Sequence, residues 1–425
     1  MMTPRERVIA ALNHREPDRI PVGICNCSGI GIHACTVYLL RQAFALDPPG
    51  TPVKVLEPFV MIGEIAPDLA TALGADVVAV TANRNSFGLR NEGWRPWTFH
   101  DGTPLLVPEG FNTDPEPDGS TLMYPQGDRS VRPSGIMPKG GWYFDVLSRQ
   151  LPIDDDALRV EDNLEEFGPI SDEHLAHFAR ETERLYSHTD KAILIRIGDT
   201  AFGDIGRVPA PSLKDPKGIR DAEEWYMSHV TRRDYIYKVF ERQCGIATQN
   251  LQRVFEAVGN RATVVHLTGT DFGGQEGPLF SPRVYRDLYK PFHKQVTDWV
   301  HTHTTWKTFI HSCGSVRELI PEFIEAGFDI LNPVQCSAAG MDPVALKANF
   351  GDRIAFWGGG VNVQRTLPFG TPSEVRHEVR ENLRVFGRGG GFVFAPVHNI
   401  QALVPEENLL ALFETVRAEG RYPIV

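Results

Sequence analysis

A histidine and a cysteine stand two residues apart at the end of an apolar run, in the segment TFIHSCGS at residues 308–315. In an extended strand, residues i and i+2 point to the same face, so His311 and Cys313 would converge on one point. An imidazole and a thiolate together suit zinc better than a hard cation. The Gly-Ser pair that follows indicates the end of a strand and the start of a helix. A two-residue pattern also arises by chance, so a zinc site needs further ligands and a scaffold that assembles them.

The scaffold is indicated by eight apolar runs of strand length that alternate with helical patterns. Eight buried strands alternating with helices predict a (β/α)₈ TIM barrel, and continuous apolar strands are typical of a parallel sheet covered by helices. A doubly wound open sheet is the alternative. The runs lie at residues 20–25, 76–81, 192–197, 263–268, 306–311, 329–334, 353–358 and 391–396.

Residues 85–150 interrupt this rhythm after the second strand. The segment is rich in Gly, Pro and aromatic residues, and its HDGTP and PDGST sequences are typical of hairpin turns. We predict an antiparallel β-rich insertion over one barrel mouth, within a single domain that spans residues 1–425. A surface embellishment and a substrate cover are equally compatible with this position.

Polar residues follow the predicted strands at the end where barrel enzymes place their chemistry. Catalytic zinc takes three protein ligands, and His398 is the predicted third because the eighth strand faces the fifth across a barrel. Cys336 competes with it, and Asp271 or Glu276 could join the site, orient a ligand or act in catalysis. His398 could instead be a general acid without metal. The predicted substrate-binding residues after these strands are Asn332, Gln335 and Asn399.

Two arginines could neutralise a carboxylate or a phosphate. Arg84 follows the second strand, and Arg196 lies inside the apolar run LIRIGD. A buried guanidinium needs a partner, and Asp199 is the nearest acidic residue in the sequence. A structural ion pair and a substrate clamp both remain open for Arg196.

Composition excludes several classes of function. The 425 residues are 42% hydrophobic and 23% charged, as in a soluble globular protein, and the net charge is −11. This charge argues against a nucleic-acid or an anionic-membrane partner, because both require a basic surface. We expect a cytoplasmic protein, since no apolar run is long enough to span a membrane and six cysteines are too few for a disulfide framework.

Several long segments resemble the uroporphyrinogen decarboxylase superfamily. They are TPRERVIAALNHREPDRIPV, GPLFSPRVYRDLYKPFHKQV, FIHSCGSVRELIPEFIEAGFDILNPVQ, GDRIAFWGGGVNVQRTLPFGTPSEVRHEVR and GGGFVFAPVHNIQALVPEENLLALFE. The resemblance implies a TIM barrel, in agreement with the strand count. It also implies one of two activities: cofactor-free decarboxylation, or zinc-dependent methyl transfer between a corrinoid protein and a thiol or related acceptor.

The residues favour the methyltransferase-like branch. The arginine-rich RQAGR segment of the decarboxylases is replaced here by GICNCSGIGIHACTVY, and their FSDIL-like catalytic segment by VVAVTANRN. The methyltransferases carry a His-x-Cys matched by His311 and Cys313. Their third ligand is a cysteine, and His398 stands in its place in APVHNI. The decarboxylases also have a histidine there, so the chain resembles the methyltransferases at strand five and the decarboxylases at strand eight. If zinc is bound, its ligand set is His-Cys-His, with one thiolate fewer than in the methyltransferases.

We therefore predict a zinc enzyme that moves a methyl group between a small substrate and a corrinoid carrier. The corrinoid, as methylcobalamin or a related cofactor, would sit on a partner protein, because the chain lacks an Asp-x-His-x-x-Gly cobalamin signature. The first alternative is a metal-free decarboxylase of a smaller carboxylate substrate, with His398 as proton donor and Arg84 or Arg196 holding the carboxylate. The second is a barrel that binds a corrinoid or tetrapyrrole without chemistry.

Overall fold

A computed structural model describes residues 2–424 of the chain. Its main feature is a curved sheet of seven parallel strands, each paired with the next along the chain. These strands are Val77–Val80, Ala192–Arg196, Val264–Thr268, Lys307–His311, Ile330–Asn332, Ala355–Trp357 and Phe392–Val393. All seven fall within predicted apolar runs, and we number them strands two to eight.

The remaining position of the ring is filled by residues 20–24. Val22 forms parallel bridges with Ala75, next to strand two, and with Phe394, next to strand eight. The backbone N–H of Asp76 donates to the carbonyl of Val22 at 2.8 Å. The first strand thus joins the two ends of the seven-stranded sheet, and the predicted barrel is confirmed.

Side chains alternate between the barrel interior and the layer beneath the helices. Leu194 and Phe309 belong to the interior apolar cluster, whereas Ile310 belongs to the outer one. Because the period of a strand is two residues, the same alternation turns Arg196 and His311 toward the interior. Both lie at the carboxyl ends of their strands, where a barrel is open to ligands.

Helices surround the barrel and cover its outer face. The first begins at a capping box formed by Thr3 and Glu6, with Pro4 in its first turn. None of the helices in residues 2–424 is both long and apolar enough to cross a membrane. The α-helices are Pro4–Leu12, Ala34–Ala43, Pro67–Ala72, Asp172–His188, Ala222–Thr231, Arg233–Val258, Pro282–Val284, Lys290–His303, Ile320–Glu325, Pro343–Phe350, Thr366–Phe369, Pro372–Gly387 and Glu406–Glu419, with a π-helix at Tyr285–Tyr289.

The β-rich insertion contributes to two small sheets. One is a three-stranded antiparallel sheet of Thr121–Met123, Gly135–Met137 and Asp145–Val146. The other has four strands in the order Ile62–Gly63, Val53–Glu57, Pro104–Val107 and Arg95–Thr98. Its Val53–Glu57 strand pairs in parallel with Pro104–Val107, so the insertion extends a sheet that begins before it.

The insertion packs against the loop that leaves the carboxyl end of strand three. The buried Arg149 guanidinium donates to the carbonyls of Ala210 and Leu213, both at 2.6 Å. The Gln126 side chain donates to the carbonyl of Ser212 at 3.1 Å. These contacts hold the insertion at the end of the barrel where Arg196 and His311 lie.

A buried ion network fixes the first strand at the opposite end. The carboxylate of Asp76, with a fully buried side chain, accepts from Arg7 at 2.6 Å, from Arg19 at 2.8 Å and from the N–H of Val22 at 2.8 Å. Removing Arg7 leaves Asp76 paired with Arg19 but deprives the buried carboxylate of one charged hydrogen bond. We expect Arg7→Leu to lower the free energy of unfolding by about 1.5 to 3 kcal/mol in urea titrations.

A matched control is Arg376→Leu, which breaks an exposed pair with Glu414 at 3.2 Å. It is expected to cost less than about 1 kcal/mol. Equal losses for the two variants would contradict a structural role for the buried network.

Candidate metal centre

Three metal-competent side chains meet at the carboxyl end of the barrel. One ligand atom from each of His311, Cys313 and His398 lies within 4.8 Å of the other two. His311 Nε2 is 3.4 Å from Cys313 Sγ, and the two imidazole rings are 5.3 Å apart at their centroids. This is the one group of three or more such residues found among residues 2–424. Two imidazoles and a thiolate form a donor set suited to zinc, with three ligands as in catalytic sites.

The tautomer of His311 is fixed by Asn332, its register partner on strand six. The Asn332 amide nitrogen donates to the carbonyl of Trp357 at 2.7 Å, which turns its oxygen toward His311. That oxygen is 2.5 Å from Nδ1 of His311, so Nδ1 carries the proton. Nε2 therefore presents its lone pair toward Cys313, as expected of a metal ligand held by an outer hydrogen bond.

Asp271 supports the cysteine from the loop after strand four. Its carboxylate accepts from the backbone N–H of Cys313 at 2.7 Å. Burial, followed by the nearby Asp271 charge, raises the pKa of the Cys313 thiol well above its ordinary value. Burial also raises the pKa of Asp271. A cation between these groups would favour both anionic forms, so their environment fits a bound metal.

His398 is held in a conformation that non-glycine residues rarely adopt, with φ at 76°. The backbone on both sides of it is fixed: Val397 N–H donates to Val361 at 3.0 Å, and Ile400 N–H donates to Gly31 at 3.0 Å. Such strain persists where surrounding contacts impose it, and it is concentrated at functional sites. The turn after strand eight thus brings His398 toward His311 at a local conformational cost.

The protonation states of the three ligands predict how zinc binds. Burial lowers the pKa of His311 and of His398 to about 4, so both imidazoles are neutral at pH 7, whereas Cys313 remains a thiol. Zinc binding near pH 7 is therefore expected to release about one proton, from Cys313. Calorimetry in buffers of different ionisation enthalpy measures this number. Release of no proton would show that Cys313 is not a ligand.

Asn332 offers a test of the outer hydrogen bond. Asn332→Leu keeps the branching and the number of side-chain heavy atoms but removes the acceptor of His311 Nδ1–H, so zinc affinity is expected to fall about 10- to 100-fold. Competition with a chromophoric chelator measures the change. The control is Asn382→Leu, at another buried asparagine that donates to the carbonyl of Gly360 at 3.3 Å. Equal affinity in the two variants would refute the proposed role of Asn332.

Two other predicted site residues, Gln335 and Asn399, hold backbone segments through hydrogen bonds. Gln335 accepts from the N–H of Gly314 at 2.9 Å, and thereby holds the turn that follows Cys313. Asn399 accepts from the N–H groups of Gly29 and Gly31 at 2.8 and 2.9 Å. Both residues support backbone around the centre through these bonds.

Three predicted residues are not brought into the group of ligands. Glu276 is exposed, and Cys336 directs its thiol to the carbonyl of Val334. Arg84 is exposed and donates to the carbonyl of Gly88 at 2.8 Å. A loop that follows a strand can direct its side chains away from the barrel. A position just after a strand therefore does not by itself predict that a residue lies at the centre.

Arg196 is close to the centre, and the ion pair with Asp199, one of the two alternatives left open by the sequence, is not formed. The Asp199 carboxylate accepts from the Asn250 amide at 2.5 Å, and the described residues show no ion pair between Asp199 and Arg196. The strand register explains this outcome, because Arg196 alternates with the interior residue Leu194 and points into the barrel.

Sequence reasoning also missed residues that line the interior beside the metal centre. His266 pairs in register with Arg196 on the neighbouring strand, and its ring lies 6.4 Å from that of His311. The period-two alternation of strand four could have revealed it. Asp204 and Tyr226 reach the same region from the loop and helix after strand three, and no local pattern marks them.

Comparison with known proteins finds a family match for the second half of the chain. Residues 218–419, which contain all three candidate ligands, match the family described as Uroporphyrinogen decarboxylase (URO-D). The match spans just under half of the chain, and the predicted resemblance is confirmed over that segment.

The curated relatives of this chain are distant. A uroporphyrinogen decarboxylase from Trichodesmium erythraeum is 24% identical over 287 residues, which cover 66% of this chain and 74% of that protein. One from Psychromonas ingrahamii is 38% identical over 77 residues, or 17% of this chain and 21% of that protein.

A solved structure supports the fold across the whole chain. A methyltransferase from Methanosarcina mazei superposes with a TM-score of 0.57 at 18% identity, covering 98% of this chain and 99% of that one. At this identity the likeness shows the shared fold. By their names, these similar proteins are enzymes.

Proposed function

We propose that this chain is a zinc-dependent methyltransferase that moves a methyl group between a small substrate and a corrinoid carried by a separate protein. The observation that carries the proposal is the convergence of His311, Cys313 and His398 within 4.8 Å. A URO-D domain that preserved only a decarboxylase function would not need a thiol beside two neutral imidazoles. The methyltransferase whose structure shares the fold agrees with this choice.

The three ligands would hold zinc at the open end of the barrel, with one position left for the substrate heteroatom. Bound zinc would act as a Lewis acid that lowers the pKa of that heteroatom. Asp271, whose carboxylate lies beside Cys313, would accept the proton that the substrate loses. Asn332 keeps His311 in the ligating tautomer throughout.

The Arg149 and Gln126 contacts hold the insertion against the loop after strand three. We infer that residues 85–150 form part of the surface that meets the corrinoid protein, because the methyl group must pass between two proteins at the open end of the barrel.

The proposal is tested by elemental analysis together with product analysis. The purified protein, reconstituted with zinc, is expected to bind about one ion per chain. With methylcobalamin and a panel of thiols, it should form a methyl thioether detectable by mass spectrometry. A protein that binds no zinc after reconstitution, or a zinc-loaded protein that methylates none of the panel, contradicts the proposal.

A further inference from the structure

The barrel interior beside the metal centre contains a cation without an anionic partner. Arg196 lies at the inward-facing end of strand three, half-buried. Among residues 2–424 its guanidinium makes no salt bridge, whereas the buried Arg7 and Arg220 each have carboxylate partners at 2.6 and 2.7 Å. A guanidinium presents five donors in a fixed plane, so one inside a barrel without a carboxylate is arranged for a ligand.

The nearest carboxylates, those of Glu57 and Asp204, form no salt bridge with Arg196 among the described residues. The Glu57 carboxylate accepts from the N–H and the hydroxyl of Ser86, both at 2.9 Å, and from the N–H of Phe59 at 3.1 Å. Asp204 accepts from the N–H of Gly206 at 3.0 Å. Burial raises the pKa of Asp204 to about 6, and Arg207 opposes that rise more than Arg196 does.

The thiol of Cys27 also faces Arg196. Burial raises the pKa of this thiol, so it stays protonated and supplies no charge to the guanidinium. Among the described residues, neither Glu57 nor Asp204 forms a salt bridge with Arg196, and Cys27 offers the guanidinium only an uncharged thiol as a hydrogen-bond partner.

A second unpartnered polar group lies directly beside it. His266, the register partner of Arg196, is 97% buried, and the described residues offer its ring nitrogens no hydrogen bond. A neutral imidazole carries one N–H, and no acceptor for it is found among the described residues. A buried polar group without a partner is costly, and a bound ligand removes that cost.

We propose that Arg196 and His266 form a carboxylate-binding subsite that fixes one end of the substrate. The inference rests on the proposed function, because the other end of the substrate would place its heteroatom at His311, Cys313 and His398. The ring of His266 lies 6.4 Å from that of His311, so the two ends are close. The substrate class is a short carboxylic acid with a thiol or hydroxyl a few bonds from the carboxyl group.

The test compares 3-mercaptopropionate with 3-mercaptopropanamide, a neutral probe of the same length, on metal-free full-length protein. Calorimetry is expected to show the acid binding at least tenfold more tightly, and the acid should raise the thermal midpoint where the amide does not. Arg196→Met should abolish the preference and Arg196→Lys should retain part of it. Arg283→Met, at an arginine with an 84% exposed side chain, should bind like the wild type.

Equal binding of acid and amide by the wild type would overturn the subsite, and so would a preference that survives in Arg196→Met. Should Arg196→Met fail to fold, the wild-type comparison and Arg196→Lys still decide. Because these measurements use no metal, they separate the subsite from the proposed function. A carboxylate preference in a protein that binds no zinc would refute the zinc enzyme and leave the subsite standing.

Discussion

The double substitution His311→Ala and Cys313→Ala is expected to reduce bound zinc from about one ion per chain to less than about a tenth. Two of the three converging ligands are removed, and one imidazole alone cannot hold zinc against a dilute chelator. Elemental analysis after gel filtration measures the content. Methyl transfer should fall by at least about 1,000-fold, since removal of an essential catalytic group has effects of this order.

Cys336→Ala provides the control for this result. Cys336 is half-buried and bonds to the carbonyl of Val334, outside the group of three ligands. The variant is expected to keep its full zinc content and its activity. Retention of zinc by the double variant, or loss of zinc by Cys336→Ala, would contradict a zinc site at His311 and Cys313.

Substitution of His398, the candidate third ligand, has the second largest expected effect on zinc binding. His398→Ala leaves only two ligands, and we expect the zinc dissociation constant to rise at least about 100-fold, beyond the range of an outer-residue change. His398→Cys should restore tight binding, since thiolate is also a zinc ligand. Chelator competition on the two variants measures both constants.

The cysteine variant is well matched to the site. His398 has a φ of 76°, and neither histidine nor cysteine is branched at Cβ, so the substitution introduces no additional branching there. Zinc affinity unchanged in His398→Ala would exclude this residue as a ligand. Tight zinc binding by His398→Cys together with weak zinc binding by His398→Ala would establish that a donor atom is required at this position.

Much of the fold could be predicted from the sequence because the barrel strands are continuous apolar runs. This holds even for the first strand, which was predicted at residues 20–25 although Val22 is held by only two single bridges. The small sheet that joins Val53–Glu57 to Pro104–Val107 was not predicted. Its pairing depends on long-range contact between segments on either side of strand two, which no local pattern encodes.

The residues of the candidate metal centre could also be predicted only in part, and for the same physical reason. His311 and Cys313 could be predicted because strand geometry alone sets their spacing, and His398 because barrel closure sets its position. Arg84 and Glu276 could not be placed, since a loop may direct its side chains to solvent. Asp199 was a candidate partner of Arg196 because it is near in the sequence, whereas the strand register places His266 next to Arg196.

The most direct measurement follows cob(I)alamin formation by absorbance when methylcobalamin and a thiol are mixed with the protein under anaerobic conditions. Metal-free protein, zinc-reconstituted protein and the His311→Ala/Cys313→Ala variant with added zinc are compared in parallel. A zinc-dependent methyltransferase predicts cob(I)alamin formation with the reconstituted protein alone. Equal rates in all three samples, or no reaction with the reconstituted protein, would contradict it.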